Sequence, residues 1–410
     1  MPPALELRYP HRSLLSARTA FWVQASVLMT LIAASSVPSP LYPIYQALWG
    51  FPPVVLTVIF AAYVLALLAA LLTAGSLSDH FGRRPVLLGA LVVEIASMAV
   101  FVSATNEVAL IAARLVQGLA TGAAIAALGA YLIELEPVGR SGLGTVLNSA
   151  GPHLGLAVGA MASSLLAAAF PGAVQLIYVV LLVVLGLQLA ATALGPETTT
   201  PNPGALASLK PRLLFPRATR PSAVWVLPAA VSTWSLGGLI MSLGPSLVQT
   251  MVGSEAVVLT GLVVAALTGT GGLATLLLGR MRPGPLLALA MATVVAGMGT
   301  TVAALMLESV ALYFAATVIA GVGFGTGFLG VLRTLLPQAA PQERAGLLSA
   351  IYVVSYMSTS VPAVVAGALV GRFGLIPTEI GYTAMVMVLA LFVLAGLAIR
   401  SRTTARQTCN

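Results

Sequence analysis

Three ionisable side chains stand inside long apolar runs of the sequence: Glu94, Arg114 and His153. A carboxyl or imidazole group in such a run can carry a proton through an apolar layer, and a nearby arginine can change its affinity for that proton. Plainer roles are open as well, because Glu94 can be a neutral acid bonded to a neighbouring helix and Arg114 can extend to the membrane surface. The three residues therefore indicate either proton transfer or buried structural polar groups.

The other chemistry-bearing residues argue against an enzyme and against an ATP-driven pump. The single lysine, Lys210, is followed by Pro211, whereas a phosphate-binding loop needs Gly-Lys-Ser/Thr. No spacing of histidine, cysteine and carboxylates matches a metal or haem centre, so we expect no metal and no cofactor. Cys409 is the only cysteine, so it cannot form an internal disulfide.

A short polar segment separates the second apolar run from the third. Its glycines permit close helix packing and a tight turn, and Asp79 needs a cationic partner, for which Arg83 is the natural choice. Glutamates at the end of a later apolar run can hold Arg83 in turn. We expect these residues to form one cluster at the membrane edge: Gly75, Asp79, Gly82, Arg83, Arg84, Glu134 and Glu136.

Proline, glycine and aromatic residues mark further candidate positions. Pro38, Pro40 and Pro43 are expected to break the first apolar run near its outer end. The segment 151–155 reads G-P-H-L-G, so Gly151, Pro152 and Gly155 are expected to kink a helix and admit a close neighbour around His153. Side chains at mid-run depth are candidates for lining a substrate cavity, although packing explains each of them equally well: Gln24, Gln117, Trp234, Tyr352 and Tyr356.

The composition places these residues in a membrane protein. Of 410 residues, 59% are hydrophobic and only 7% are charged, far too few charges to cover a globular surface. A helix that crosses the membrane needs about 20 apolar residues. The long apolar runs hold twelve such helices, two of them in each of the first and fourth runs, and only the second and third runs carry a charged residue, Glu94 and Arg114. The runs are 19–78, 85–104, 108–133, 141–196, 221–254, 256–279, 283–307, 309–332, 345–371 and 380–399.

The two halves of the chain look like repeats of six helices each. The segment R-S-G-L at 140–143 corresponds to R-A-G-L at 344–347, and the glycines at 118 and 122 correspond to those at 321 and 325. We therefore expect an N-terminal bundle at 1–196, a solvated cytoplasmic linker at 197–220 and a C-terminal bundle at 221–410.

The distribution of cations predicts the orientation. With both termini in the cytoplasm, inside segments hold 16 of the 19 lysines and arginines, whereas Arg372 is the only cation of the outside loops. The outside loops carry glutamates instead: Glu107, Glu255, Glu308 and Glu379. We expect a multi-pass plasma-membrane protein whose basic loops face anionic lipid, with no nucleic-acid partner because no basic face is concentrated.

Three motifs resemble a known family. The segment 75–84, G-S-L-S-D-H-F-G-R-R, resembles the G-x-L-x-D-x-x-G-R-R/K signature of the major facilitator superfamily, with His80 where a basic residue is usual. The segment 114–118, R-L-V-Q-G, resembles the fourth-span R-x-x-q-G motif of proton-coupled members. The segment 151–155 resembles the G-P-x-x-G-G motif of its antiporters, with Leu156 in place of the last glycine. With the span number and the repeat, the resemblance covers essentially the whole chain.

The resemblance implies an all-α membrane fold of twelve transmembrane helices, arranged as two six-helix bundles around a central cavity. It implies that the Asp79 cluster holds the two halves together in the outward-facing state, with the aspartate facing the start of span eleven near 345–347. It also implies that Arg114 affects proton transfer, as in the drug:proton antiporter branch.

We therefore predict a monomeric secondary transporter, and not an enzyme, that works by alternating access in the lipid bilayer. Its partners are protons and a small neutral or amphipathic molecule, drug-like or a metabolite, which it exports by antiport and so confers multidrug resistance. Few charges line the spans, so a permanently charged substrate fits less well. The alternatives are a proton symporter that imports a sugar or organic acid, a channel, and a non-transporting scaffold.

Overall fold

A computed structural model of the chain describes residues 13–200, 202–211, 213–253 and 256–408. Glu255 and Cys409 lie outside the described residues. Within this described part, all regular structure is helical, and twelve helices are long and apolar enough to cross a membrane. The all-helical class and the predicted number of spans are therefore confirmed.

We number the spans in chain order. They are formed by Ala17–Ser36 with Pro38–Trp49, Pro53–Ala74, Arg83–Ser103, Glu107–Glu134, Leu143–Ala169, Leu176–Ala193, Arg220–Ser242 with Gly244–Val252, Val257–Leu278, Pro283–Met306, Val310–Leu335, Arg344–Phe373 and Leu375–Thr408. Short helices lie at Leu77–Phe81 and Ala205–Ser208, and short 3-10 turns at Leu336–Gln338 and Pro341–Glu343. The linker between spans 6 and 7 defines the linker face of the molecule, and the other end is called the opposite face.

Span 1 bends where the prolines were expected to break it. The first helix ends at Ser36, and Pro38 begins the second, a position where proline loses no helical hydrogen bond of its own. The chain leaves span 1 only at Gly50, whose positive φ of 67° suits glycine. Span 7, the corresponding span of the second half, is interrupted in the same way at Leu243. The prolines therefore bend span 1 and do not end it.

Glycines allow close packing at equivalent places in both halves. A methyl group on Gly118 or Gly122 of span 4 would overlap backbone carbonyls of span 2. A methyl group on Gly321 or Gly325 of span 10 would overlap those of span 8. The glycine pairs that correspond in the sequence thus bring together the corresponding pairs of helices.

The two halves are in close contact at the opposite face. Span 2 packs on span 11, where a methyl group on Gly367 would overlap the Thr57 side chain. Span 5 packs on span 8, where Gly261 stands in the same way against Ser164. The Thr260 hydroxyl of span 8 also donates to a carbonyl of span 1, that of Pro40, at 3.2 Å. The structure is thus a state closed at the opposite face.

Two expectations about loops are wrong. Glu379, expected in an outside loop, lies one turn inside span 12 and is fully buried, because the helix begins at Leu375 and not after the charge. The linker, expected to be solvated throughout, begins with a buried glutamate, Glu197, that is 8% exposed. In both cases the sequence predicts a charged residue in a solvated loop, whereas the structure buries its side chain.

Candidate functional site

A buried polar cluster occupies the middle of the first half. The Arg114 guanidinium donates to the Gln117 side-chain oxygen at 2.7 Å, and the Gln117 amide nitrogen lies 3.3 Å from a carboxylate oxygen of Glu94. All three side chains are fully buried. Arg114 and Gln117 are three residues apart on span 4 and share one helix face, and Glu94 approaches from span 3. We call these three residues the relay.

The bend of span 1 supplies the acceptors that the relay needs. Gln117 donates to the carbonyl of Ala34 at 3.1 Å, and Arg114 donates to the carbonyl of Ser35 at 2.8 Å. Within a helix the Ala34 carbonyl would accept from residue 38, but Pro38 has no N–H to donate. Because carbonyls in the last turn of a helix lack helical partners, they remain free for a buried guanidinium.

Two tyrosines complete the surroundings of Arg114. Its guanidinium lies 4.3 Å from the ring centre of Tyr63 on span 2, a cation–π contact. Tyr42 of span 1 lies within electrostatic reach of it. These contacts keep Arg114 inside the bundle, so it does not extend to the membrane surface. One donor and one acceptor of the relay are left over for a further hydrogen bond, since Arg114 Nε and one oxygen of Glu94 have no hydrogen-bond partner among the described residues.

An aromatic cluster of the second half faces the relay. Trp234 of span 7 lies 4.7 Å from Tyr356 and 5.1 Å from Phe328, measured between ring centres. Tyr352 joins them, with its ring centre 6.0 Å from that of Tyr356. Tyr356 in turn lies within electrostatic reach of Tyr63, the ring under Arg114. The structure thus brings together the candidates Trp234, Tyr352 and Tyr356, all half-buried.

Gln24 is not part of this region. Its side chain is fully buried between spans 1 and 6, and its amide nitrogen lies 3.3 Å from the Thr192 hydroxyl. The structure thus places Gln24 at a helix contact inside the first half, and its role in lining a cavity stays a prediction. Gln117, the other candidate glutamine, belongs to the relay.

His153 lies apart from the relay, at the contact between the two halves. Its ring packs edge-on against Phe324 of span 10 with a centroid separation of 5.3 Å, and its Nδ1 has no partner among the described residues. The Gly151-Pro152 segment lies on span 5, and a methyl group on Gly155 would stand 3.0 Å from Ile32 of span 1. This segment therefore packs on the bent span while presenting His153 to the second half.

The charged cluster at the linker face forms around Arg83. The guanidinium donates to Asp79 at 2.5 Å, to the Ser78 hydroxyl at 2.7 Å and to Glu134 of span 4 at 3.0 Å. Asp79 itself is 59% exposed and bonds within its own half. The structure does not show Asp79 bonded to the start of span 11, in keeping with halves that meet at the opposite face.

The remaining members of that cluster have separate partners. Arg84 donates to the carbonyl of Ala193 at the end of span 6. Gly75 ends span 2 facing span 4, with Ala126 nearest among side chains. Glu136 does not reach Arg83, because it accepts from the backbone N–H of Gly144 at 2.9 Å and caps span 5. The N–H groups of Gly144 and then Gly142 lower the pKa of the Glu136 carboxyl.

Glu197 is a member of this region that the sequence did not single out. Its carboxylate accepts from the backbone N–H groups of Arg83 at 2.9 Å and Arg84 at 3.1 Å, capping span 3. Gly82 is required beneath it, because its φ is 102° and a Cβ there would stand 2.6 Å from the carboxylate. The linker also donates from Leu214 to the carbonyl of Gly346 on span 11, at 3.2 Å. It thus connects the Arg83 cluster with the second half.

Cavities and metal ligands give no competing site. Clefts of about 450 Å³ and 390 Å³ lie at the two membrane edges of the first half, the larger beside Arg18 and Glu136 and the smaller beside Tyr45 and Trp49. Among the described residues, no group of three or more His, Cys, Asp or Glu side chains is placed to hold a metal ion. The central cavity between the halves stays a prediction.

Comparison with known proteins decides the family. The model of the Major Facilitator Superfamily matches residues 24–364, most of the chain. The chain belongs to the Major Facilitator Superfamily. A comparison with curated proteins finds no match. The fold agrees with solved structures of this superfamily, and membership indicates a transporter of small molecules and not an enzyme.

Similar solved structures include several transporters. A variant of the nucleoside transporter NupG has a TM-score of 0.72 and 10% identity, covering 93% of this chain and 99% of that one. A partially occluded inward-open structure of the xylose transporter XylE from E. coli has a TM-score of 0.71 and 14% identity, covering 92% and 96%. The human organic anion transporter MFSD10 has a TM-score of 0.64 and 16% identity, covering 92% and 100%. At these identities the similarity shows the superfamily fold alone.

Proposed function

We propose that this superfamily member is a proton-coupled secondary transporter in which Glu94 carries the proton and Arg114 adjusts its affinity. The observation that carries the proposal is the relay. Gln117 links a buried carboxyl to a buried guanidinium, so a change of charge on Glu94 alters the hydrogen bond that Gln117 accepts from Arg114. A carboxyl enclosed in this way binds and releases a proton when the surrounding helices open to water.

The relay lies where a change of charge on Glu94 can affect contacts with both halves of the protein. Arg114 and Gln117 each donate to one free carbonyl of the span 1 bend, and Tyr63, the ring under Arg114, lies within electrostatic reach of Tyr356 of the second half. A proton on Glu94 strengthens or weakens these contacts and thereby favours one state of the alternating-access cycle over the other. Coupling requires this difference in affinity between the two states.

The substrate we propose is a small neutral or amphipathic molecule bound between the relay and the aromatic cluster. Trp234, Tyr352 and Tyr356 offer ring faces and hydroxyl groups, and Arg114 is the cation of the relay, with its charge already engaged. Such surroundings suit a planar or partly apolar compound better than a permanently charged one. Nucleosides and sugars enter the test panel because NupG and XylE carry them.

We propose export by antiport as the direction. The support is the resemblance of the G-P-x-x-G segment to that of antiporters and its packing on the bent span 1 through Gly155. A symporter that imports a sugar is the second candidate, favoured by the similarity to the proton:xylose symporter XylE at a TM-score of 0.65 and 14% identity. An efflux function would appear as lower cellular accumulation and resistance to the substrate.

We propose the membrane and the orientation of the protein from the distribution of its cations. The linker face, with Arg83, Arg84 and Arg140, lies in the cytoplasm, and the protein is a monomer in the plasma membrane. Two bundles, 1–196 and 221–410, move against each other about the linker 197–220, which is the arrangement expected of an internal repeat. The expected partners are the substrate, protons and lipid, without nucleic acid.

Transport in proteoliposomes with an imposed pH gradient tests this function. A compound panel is screened for flux that follows the gradient and changes sign when the gradient is reversed. Glu94→Gln keeps the size and shape of the side chain but has no carboxyl group to gain and lose a proton, so we expect substrate exchange to persist while the response to the gradient is lost. Glu308→Gln, at an exposed carboxyl, is the matched control.

The outcomes separate the alternatives. Flux driven outward by inward proton movement supports antiport, and accumulation in the direction of proton movement supports symport. If the imposed pH gradient changes the wild-type flux of none of the compounds, the proposal of proton coupling is wrong. Full coupling in Glu94→Gln would remove the role given to Glu94.

A further inference from the structure

The second half encloses a carboxyl group of its own. Glu379 lies one turn inside span 12, close to the opposite face, and is fully buried. Neither of its carboxyl oxygens has a hydrogen-bond partner among the described residues. Unlike Glu94, which bonds to Gln117, Glu379 is not connected to the relay.

The groups around Glu379 are hydroxyls. Thr383 follows four residues later on the same helix face, and its buried hydroxyl likewise has no partner in the described part of the chain. Tyr313 of span 10 faces the carboxyl, and its buried hydroxyl also has no hydrogen-bond partner among the described residues. Four buried oxygen atoms from three side chains are thus unpaired in one region of the protein.

No cation on the described residues balances the charge that Glu379 would carry. Span 12 packs on spans 7, 9 and 11. Span 9 contains no titratable residue, and the titratable groups near Glu379 are Tyr313 and Tyr382, the latter donating to the carbonyl of Ser235 at 3.0 Å. Two charged side chains at the ends of helices on this face, Glu308 before span 10 and Arg372 in the last turn of span 11, are exposed. A carboxylate buried without a partner is strongly unfavourable, so the group must be neutralised in place.

We propose that Glu379, with Tyr313 and Thr383, is a second proton-binding site, separate from the relay and placed near the opposite face. A proton is favoured over a hard metal cation, because the three side chains supply four oxygen atoms, whereas calcium and magnesium take six or more ligands. The site keeps its proton while span 12 remains packed on spans 7, 9 and 11, and releases it when water enters between these helices. It does not depend on Glu94 being the coupling residue.

Infrared difference spectroscopy of the reconstituted protein tests this site directly. A buried protonated carboxyl gives a C=O stretching band that shifts between the spectra recorded in H₂O and in D₂O. In the wild type we expect two such bands, one from Glu379 and one from Glu94. Glu379→Gln should remove one band and leave the other, and Glu94→Gln should do the reverse. An unchanged carboxyl spectrum in Glu379→Gln would overturn the proposal.

Two further measurements keep the result interpretable. Glu379→Asp retains the acid on a shorter side chain, so its band should move and persist even where the glutamine variant is poorly folded. The thermal midpoint of the wild type is also compared in sodium chloride and choline chloride, where no difference is expected. A stabilisation specific to sodium that is lost in Glu379→Gln would assign the site to a cation and contradict the proton.

Discussion

The two halves share the same arrangement of helices but differ in the functional side chains that these helices carry. Span 1 and span 7 both bend, and corresponding glycines bring spans 4 and 10 against spans 2 and 8. Within this arrangement the first half carries the linked charges of Glu94 and Arg114, whereas the second half presents the aromatic cluster around Trp234. Under the function proposed above, the two halves thus share their packing while proton binding is assigned to the first half and substrate contact to the second.

The same divergence is visible at the linker face. In the first half, Glu134 of span 4 pairs with Arg83, the first residue of span 3, at 3.0 Å. In the second half the corresponding span supplies the cation, because Arg333 of span 10 donates to the loop carbonyls of Gly279 and Met281, the latter at 2.9 Å. The first arrangement depends on an ion pair that water can compete for, and the second on a charged donor bonded to fixed carbonyls.

The largest effect is expected when Arg114 is changed and compared with Arg333. Arg114→Leu leaves the Ser35 carbonyl and the Gln117 oxygen without their buried donor, a loss of about 3 kcal/mol that corresponds to about 100-fold in rate. We expect gradient-driven flux per inserted protein to fall by that factor. Arg114→Lys should also be impaired, because a lysine lacks the planar guanidinium that lies over the Tyr63 ring while one of its nitrogens serves both acceptors.

Arg333→Leu is the control from the other half. It removes donors from loop carbonyls at the membrane edge, so we expect a lower thermal midpoint with flux within about threefold of wild type, an effect below 1 kcal/mol. Equal losses of flux in the two leucine variants would show that the halves do not divide the work as proposed.

The spans could be predicted because charges interrupt the apolar runs, and the spacing of Arg114 and Gln117 placed them on one helix face. The same rule misplaced Glu379, since a charge was read as the end of a span while the fold encloses it. The carbonyls of Ala34 and Ser35 carry no side-chain signal, and only the missing N–H of Pro38 points to the first of them.

Glu197 escaped prediction for a different reason. A carboxylate in a polar linker is unremarkable by composition, and its role depends on the linker folding back onto the start of span 3. The aromatic cluster shows the same limit, because Phe328 resembles any other apolar residue of span 10 until spans 7 and 11 are placed beside it. The contact of Arg83 with Glu134, by contrast, was expected because both residues carry charges that need a partner at the membrane edge.

A smaller effect is expected in the aromatic cluster of the second half. Trp234→Ala removes the ring that touches both Tyr356 and Phe328, and a loss of about 1.4 kcal/mol in substrate binding corresponds to a tenfold rise in KM. Concentration-dependent flux of the compound identified in the panel measures it. We expect the pH-gradient response to persist, because the relay is intact.

Trp225→Ala is the matched control on the same span. This ring stacks on Phe392 of span 12 with centroids 5.3 Å apart, away from the aromatic cluster. Its removal should lower the thermal midpoint and leave KM unchanged. If both tryptophan variants raise KM alike, or Trp234→Ala abolishes proton coupling with substrate binding intact, the assignment of substrate contact to the second half is wrong.

The smallest effect is expected at the starts of the two corresponding helices, spans 5 and 11. Glu136 accepts from the Gly144 N–H at 2.9 Å, whereas Glu343 of the second half accepts from the Ala340 N–H at 3.3 Å. Backbone donors lower the pKa of Glu136, so the charged form stabilises the folded protein above the ordinary carboxyl range, and that stabilisation is lost as the pH falls through the lowered pKa.

The thermal midpoint in detergent, measured from neutral to acidic pH, tests this difference between the halves. Glu136→Gln should lower the midpoint by a few degrees at most at neutral pH and converge with the wild type under acidic conditions, because protonation removes the same charge from the wild type. Glu343→Gln should lower it less, since it weakens a longer bond at a 3-10 turn. A gap between Glu136→Gln and wild type that widens on acidification would reverse the sign of the shift and contradict the capping role.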